Sequence, residues 1–197
     1  MNPLNDHRQS LILGIVLAVL IALAIGGTHF NPGGPGGLAR WLHVVAGVFW
    51  IGLLYYFNVA QTPALAAAAA DKGGPGGAGI TKYVAPRALF WFRWSALVTW
   101  LAGAWVLGGN FVSAFTFAPG FRTIGVGAWL GTIMLFNVWG IIWPNQKKIL
   151  GLKPATDEEK AKARKAAGMA SRINFVLSIP MLMCMAGQSH GLPFFTG

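Results

Sequence analysis

The chain has 197 residues, is 55% hydrophobic and only 10% charged, and carries 9 Trp and 13 Phe. A soluble domain of this size has roughly 25% charged residues, so water is not its main solvent. The formal net charge of +10 invites a nucleic-acid reading, but the basic residues are gathered between long apolar runs, and that distribution excludes nucleic acid as the partner.

A bilayer crossing needs about 20 apolar residues, and five runs qualify: 10–27, 41–61, 88–108, 123–143 and 171–188. The first is longer than the ~7–15 residues of a secretory signal core, and Gly26-Gly27-Thr28 is a poor cleavage site, so a retained anchor is expected. The connections 28–39 and 62–87 both contain GGPGG, a backbone too permissive and too proline-broken for helix or strand. A phosphate loop would need a following GK[ST], which neither has. Pro63 to Ala70 is almost all alanine and predicts helix continuing past the second run. In the third run, Arg93 is expected to snorkel or to stack on Trp91 or Trp94. Gly125, Gly127 and Gly131 in the fourth run, with Gly47 and Gly52 in the second, let helix backbones approach in lipid. Asn58 and Asn137 are expected to bond between helices, worth about 0.6–2 kcal/mol. Residues 157–168 predict a polar surface helix opened by a capping box, Thr156 to Glu159, leading into the fifth run. The lone Cys184 reads as a small packing residue, and there is no CxxCH for covalent haem attachment.

Loop charge sets the orientation. Lys147, Lys148, Lys153, Lys160, Lys162, Arg164, Lys165 and Arg172 crowd one connection, and Lys and Arg flanking membrane helices stay cytoplasmic. With that loop inside, Arg8, Lys72, Lys82 and Arg87 are inside as well, and only Arg40 and Arg122 fall outside. The expectation is one all-α membrane domain over 1–197, a bundle of five transmembrane helices. Its N-terminus is cytoplasmic and its C-terminus periplasmic.

That topology brings His29, His43 and His190 to one face and His7 to the other. On the second helix His43, Gly47 and Trp50 share a stripe; on the fifth, His190, Gly187 and Met183 do. Each histidine thus has a glycine one turn deeper, where a flat macrocycle could lie close. Neutral imidazole is the commonest metal ligand, so His43 and His190 are the candidate metal ligands, with Gly47 and Gly187 beside the ring. Arg40 and Gln188 are candidates to meet propionates. The plainer reading is that a histidine at an interface simply reaches water. No Asp or Glu lies inside any run, which removes the usual carboxylates of a proton relay and disfavours a pump or coupled transporter.

Several segments together look familiar: Trp41-Leu-His43 through Asn58, Phe92-Arg93-Trp94 with Thr99-Trp100, Phe136-Asn137 through Trp143 to Lys148, and Ser171-Arg-Ile-Asn174 with Ser178-Ile-Pro180 and Ser189-His190. As a set they resemble the membrane domain of the PuuD-type urate hydroxylases, in a short form without the cytochrome c domain. The His-x3-Gly-x2-Trp element also resembles that of small haem-b membrane proteins of the HemJ and CopD kinds. The resemblance implies a bacterial inner-membrane protein linked to electron transfer. Two functions follow as expectations: a redox protein holding haem b between the second and fifth helices near the periplasmic face, or a non-catalytic accessory subunit. The partners expected are the lipid bilayer and a cytochrome or larger membrane complex.

Overall fold

A computed structural model describes residue 4 and residues 6–26 and 37–192, and every regular element among them is helical. The chain divides into two compact units, residues 1–38 and 39–197. The first carries α1 (His7–Gly26), which is apolar on all faces. Asp6 opens it by accepting from the backbone N–H groups of Arg8 and Gln9 at 2.7 and 3.2 Å. The bonds from Gln9 and Arg8 hold the Asp6 carboxyl below its ordinary pKa.

Four long helical stretches follow: α2 (Gly37–Ala70), α3 (Ile80–Phe115), α4 (Arg122–Ile149) and α5 (Asp157–His190). With α1, they make five helices long and apolar enough to cross a membrane. At ~1.5 Å per residue, the 34 residues of α2 or α5 run about 50 Å, past the about 30 Å of a bilayer's apolar core. The overrun of α2 is the alanine tract 62–70, as the sequence predicts. The overrun of α5 is the polar segment 157–168, which continues without a break into the apolar run. Its capping box is present: Thr156 Oγ1 accepts from Glu159 N at 3.2 Å, and Glu159 Oε2 accepts from Thr156 N at 2.8 Å.

The extra length on α2, α3 and α4 passes through three wide turns with one cause. Thr62, Ala85 and Trp143 donate their N–H groups five residues back, to Phe57, Ile80 and Val138. Each stands immediately before a proline: Pro63, Pro86 and Pro144. A proline ring inside a helix collides with the carbonyl four residues back and offers no N–H. Widening the preceding turn to π geometry relieves that collision and lets the helix continue. Toward its other end α3 is interrupted at Gly108, whose φ of 49° is in the region that glycine tolerates, and resumes through Phe115.

From α2 to α5, consecutive helices run antiparallel: His43 meets Thr99, Trp100 meets Thr132 and Asn137 meets Asn174. Trp50, Leu54 and Phe57 of α2, Leu89, Phe92 and Ala96 of α3, and Met134, Val138 and Ile142 of α4 form the core, with Ala170 and Met181 of α5. Glycines permit the closest contacts: a Cβ on Gly127 would stand 3.1 Å from Cys184 Cβ, and Cys184 is buried there. At Gly125 a Cβ would run into the backbone carbonyl of Ala114, which cannot swing aside as a side chain can. Gly125→Ala should therefore destabilise the chain by ~1–3 kcal/mol, read as a lower melting temperature in detergent, whereas Gly52→Ala, with open space around it, should not.

A polar seam joins α2, α4 and α5 inside this core. Asn58 Nδ2 donates to Ser171 Oγ at 2.9 Å, and Asn137 Nδ2 donates to Asn174 Oδ1 at 2.8 Å. Asn174 Nδ2 donates in turn to the Met134 carbonyl at 2.9 Å, and Ser178 Oγ donates to Tyr55 OH at 3.1 Å. Ser171, Asn174 and Ser178 follow a helical stripe on α5, and the interhelical bonding expected of Asn58 and Asn137 is borne out.

Candidate functional site

The histidine at the first turns of α2 is held by α3. On α3, Ser95, Thr99 and Gly103 recur every fourth residue, a small-residue stripe of the kind that admits a neighbouring helix. The His43 imidazole lies across it, with Nδ1 2.8 Å from the carbonyl oxygen of Thr99. A carbonyl only accepts, so Nδ1 carries the proton and Nε2 keeps its lone pair. The room for the ring comes from Gly103, where a Cβ would fall 2.9 Å from His43 Cε1 and 3.0 Å from Nδ1. Metal-binding histidines are commonly oriented in this way, with the second ring nitrogen fixed on a backbone carbonyl. His43 is half-buried.

Trp50 lies two turns deeper on the His43 stripe and is 2% exposed. Its Nε1–H is buried without a protein acceptor. An unsatisfied buried donor costs about 1–3 kcal/mol.

The remaining candidates are more dispersed. Gly47 faces Thr99, whose Cγ2 would be 3.7 Å from a Cβ there. Gly187 is covered by Leu192 and Thr123, with Leu192 Cδ2 2.7 Å from a hypothetical Cβ. Both glycines therefore meet neighbouring protein atoms. Arg40 is exposed one turn before His43. His190 is the last residue of α5 and exposed. It shares the bundle end of His43, since Gly187 meets the start of α4 and His43 the far half of α3, but no hydrogen bond joins the two histidines among the described residues. Gln188 is occupied: its Oε1 accepts from Ile124 N and its Nε2 donates to Gly120 O, both at 3.0 Å, capping α4. His29 lies outside the described residues, and His7 opens α1. Among the described residues no three His, Cys, Asp or Glu side chains gather as a metal-binding cluster.

As a fit test for haem iron, the donor set is partly suited. His43 Nε2 would serve as a nitrogen ligand to the iron, while Gly47 and Gly187 leave no empty cradle. Thr99 and Gly103 are site residues the sequence reading missed, though the four-residue repeat of small side chains on α3 was visible in it. For Arg93, the expected stacking on Trp91 or Trp94 is corrected to other rings. Arg93 stacks on Trp143 of α4, 3.9 Å from the ring centroid, and more distantly on Phe90 at 5.2 Å, because Trp91 and Trp94 flank it in sequence and diverge around the helix.

Five helices long and apolar enough to cross a membrane give the chain the character of a multi-pass membrane protein. Residues 105–196, just under half of the chain, match the family model described as Urate oxidase N-terminal. The matched stretch runs from the end of α3 through α4 and α5, including Asn137, Asn174 and His190, and does not reach His43. No curated protein and no solved structure matches the chain.

Proposed function

We propose that the chain is a redox-linked protein of the bacterial inner membrane in which His43 Nε2 ligates haem b near the periplasmic face, with His190 as the second ligand. The observation carrying this reading is the hydrogen bond from His43 Nδ1 to the Thr99 carbonyl, which fixes the tautomer a metal requires. The family match to urate oxidase N-terminal segments supports a redox association. Haem, when bound, supplies a one-electron couple. The chain's own residues supply the rest: Thr99 orients the imidazole, Gly103 makes room for it, and Arg40, on the face of His43, offers a cation to carboxylates. The positive-inside distribution supports a cytoplasmic N-terminus.

The second reading is an accessory subunit of a larger membrane complex. It is favoured by an apolar groove between α3 and α4, lined by Trp94, Leu97, Trp100, Leu101, Leu135 and Phe136 among others. The indole N–H of Trp100 is turned away to Thr132 Oγ1. Purification after expression with added haem separates the two readings. The redox reading expects about one haem per chain in an isolated protein. A colourless chain that co-purifies with a larger membrane protein would replace it with the subunit reading.

A further inference from the structure

We propose that Arg93, Trp143 and Lys147 form a binding site for the phosphate of an anionic membrane phospholipid, at the lysine-rich end of α3 and α4. The inference is independent of the haem reading. Trp143 has two cations over its ring: the Arg93 guanidinium at 3.9 Å and Lys147 Nζ at 5.9 Å from the centroid. An aromatic face attracts a cation but does not neutralise it, so the two positive charges remain uncompensated beside each other.

Among the described residues, no carboxylate pairs with Arg93 or Lys147. The five acidic residues are engaged elsewhere: Asp157 with Lys160, Glu158 with Lys162, Glu159 in the cap at Thr156, Asp6 on the first turn of α1, and Asp71 on the N–H of Gly73. The guanidinium of Arg93 makes one long bond, 3.4 Å to the Leu89 carbonyl, leaving most of its five donors for an outside acceptor. It is half-buried on an apolar helix, where a free arginine is held by reaching headgroup level. The planar fork of Arg matches phosphate oxygens, and Lys147 adds a second charge.

The same seam provides a place for the body of such a lipid. Trp139, whose Nε1 donates to the Arg93 carbonyl at 3.1 Å, lines the apolar groove between α3 and α4 with Trp94, Leu97, Leu101 and Phe136, and this groove leads from Arg93 toward the membrane core. A cationic patch beside an apolar slot complements an anionic phospholipid, and anionic leaflets concentrate near basic juxtamembrane segments.

Native mass spectrometry of the full chain in neutral detergent tests the site, with phosphatidylglycerol and phosphatidylcholine supplied in equal amounts. The expected result is at least five-fold preferential retention of phosphatidylglycerol. Arg93→Gln and Lys147→Gln should each reduce it several-fold, and Lys162→Gln, on the exposed face of α5, should leave it unchanged. Arg93→Lys should fall between. Equal retention of the two lipids would overturn the proposal, as would a loss in Lys162→Gln as large as in Lys147→Gln, which would mean diffuse attraction. Displacement of the lipid by millimolar inorganic phosphate would overturn the lipid assignment in favour of a free-phosphate site. If Arg93→Gln fails to fold, Lys147→Gln, at the loop end of α4, carries the test alone.

Discussion

Gly103→Ala is expected to weaken haem binding by about ten- to a hundred-fold, the range seen when an orienting partner of a metal-bound histidine is lost. The added Cβ would fall 2.9 Å from His43 Cε1, closer than side chains pack, so the imidazole must move. That motion would break the bond from Nδ1 to the Thr99 carbonyl and leave Nε2 without its fixed orientation. The informative control is Gly47→Ala. Its Cβ meets Thr99 Cγ2 at 3.7 Å, an ordinary contact, and should leave haem affinity unchanged. Titration of haem into the purified variants, followed in the Soret region, reads both. Loss in Gly47→Ala with Gly103→Ala unaffected would contradict the orienting role given to the Thr99 contact and return the cradle to Gly47.

The second large effect is expected in the polar seam. Asn174 is fully buried, accepts from Asn137 and donates to the Met134 carbonyl. Asn174→Leu strands the Asn137 amide in an apolar interior, and a buried group left without its partner costs about 1–3 kcal/mol. Thermal unfolding in detergent should show a drop of several degrees. Asn137→Leu combined with Asn174→Leu removes both partners and should recover part of that loss. A double variant as unstable as the sum of the singles would mean that packing, and not the bond, sustains the seam.

Much of this architecture was legible because lipid imposes simple demands on sequence. Apolar length marked the five helices, Thr156 and Glu159 marked the start of a polar surface helix that the structure joins to the fifth run as one α5, and asparagines inside apolar runs announced bonds across helices. Other features depend on neighbours that a linear reading does not see. The three wide turns need the clash between each proline ring and the carbonyl behind it, which hydropathy does not register. His43 was legible as a candidate, but its partner on α3 was not, because glycine spacing drew attention to Gly47 and Gly187. Those two glycines make room for protein side chains. Arg93 was read against its sequence neighbours, whereas its ring partner comes from the next helix, fifty residues on.

The most direct measurement is a reduced-minus-oxidised absorption spectrum of the detergent-purified chain and of its His43→Ala variant, both expressed with haem supplied. The account predicts a sharp b-type α-band in the parent and its loss in the variant, with the helical content of the two unchanged. A flat spectrum in the parent, or a band that survives His43→Ala, would contradict it.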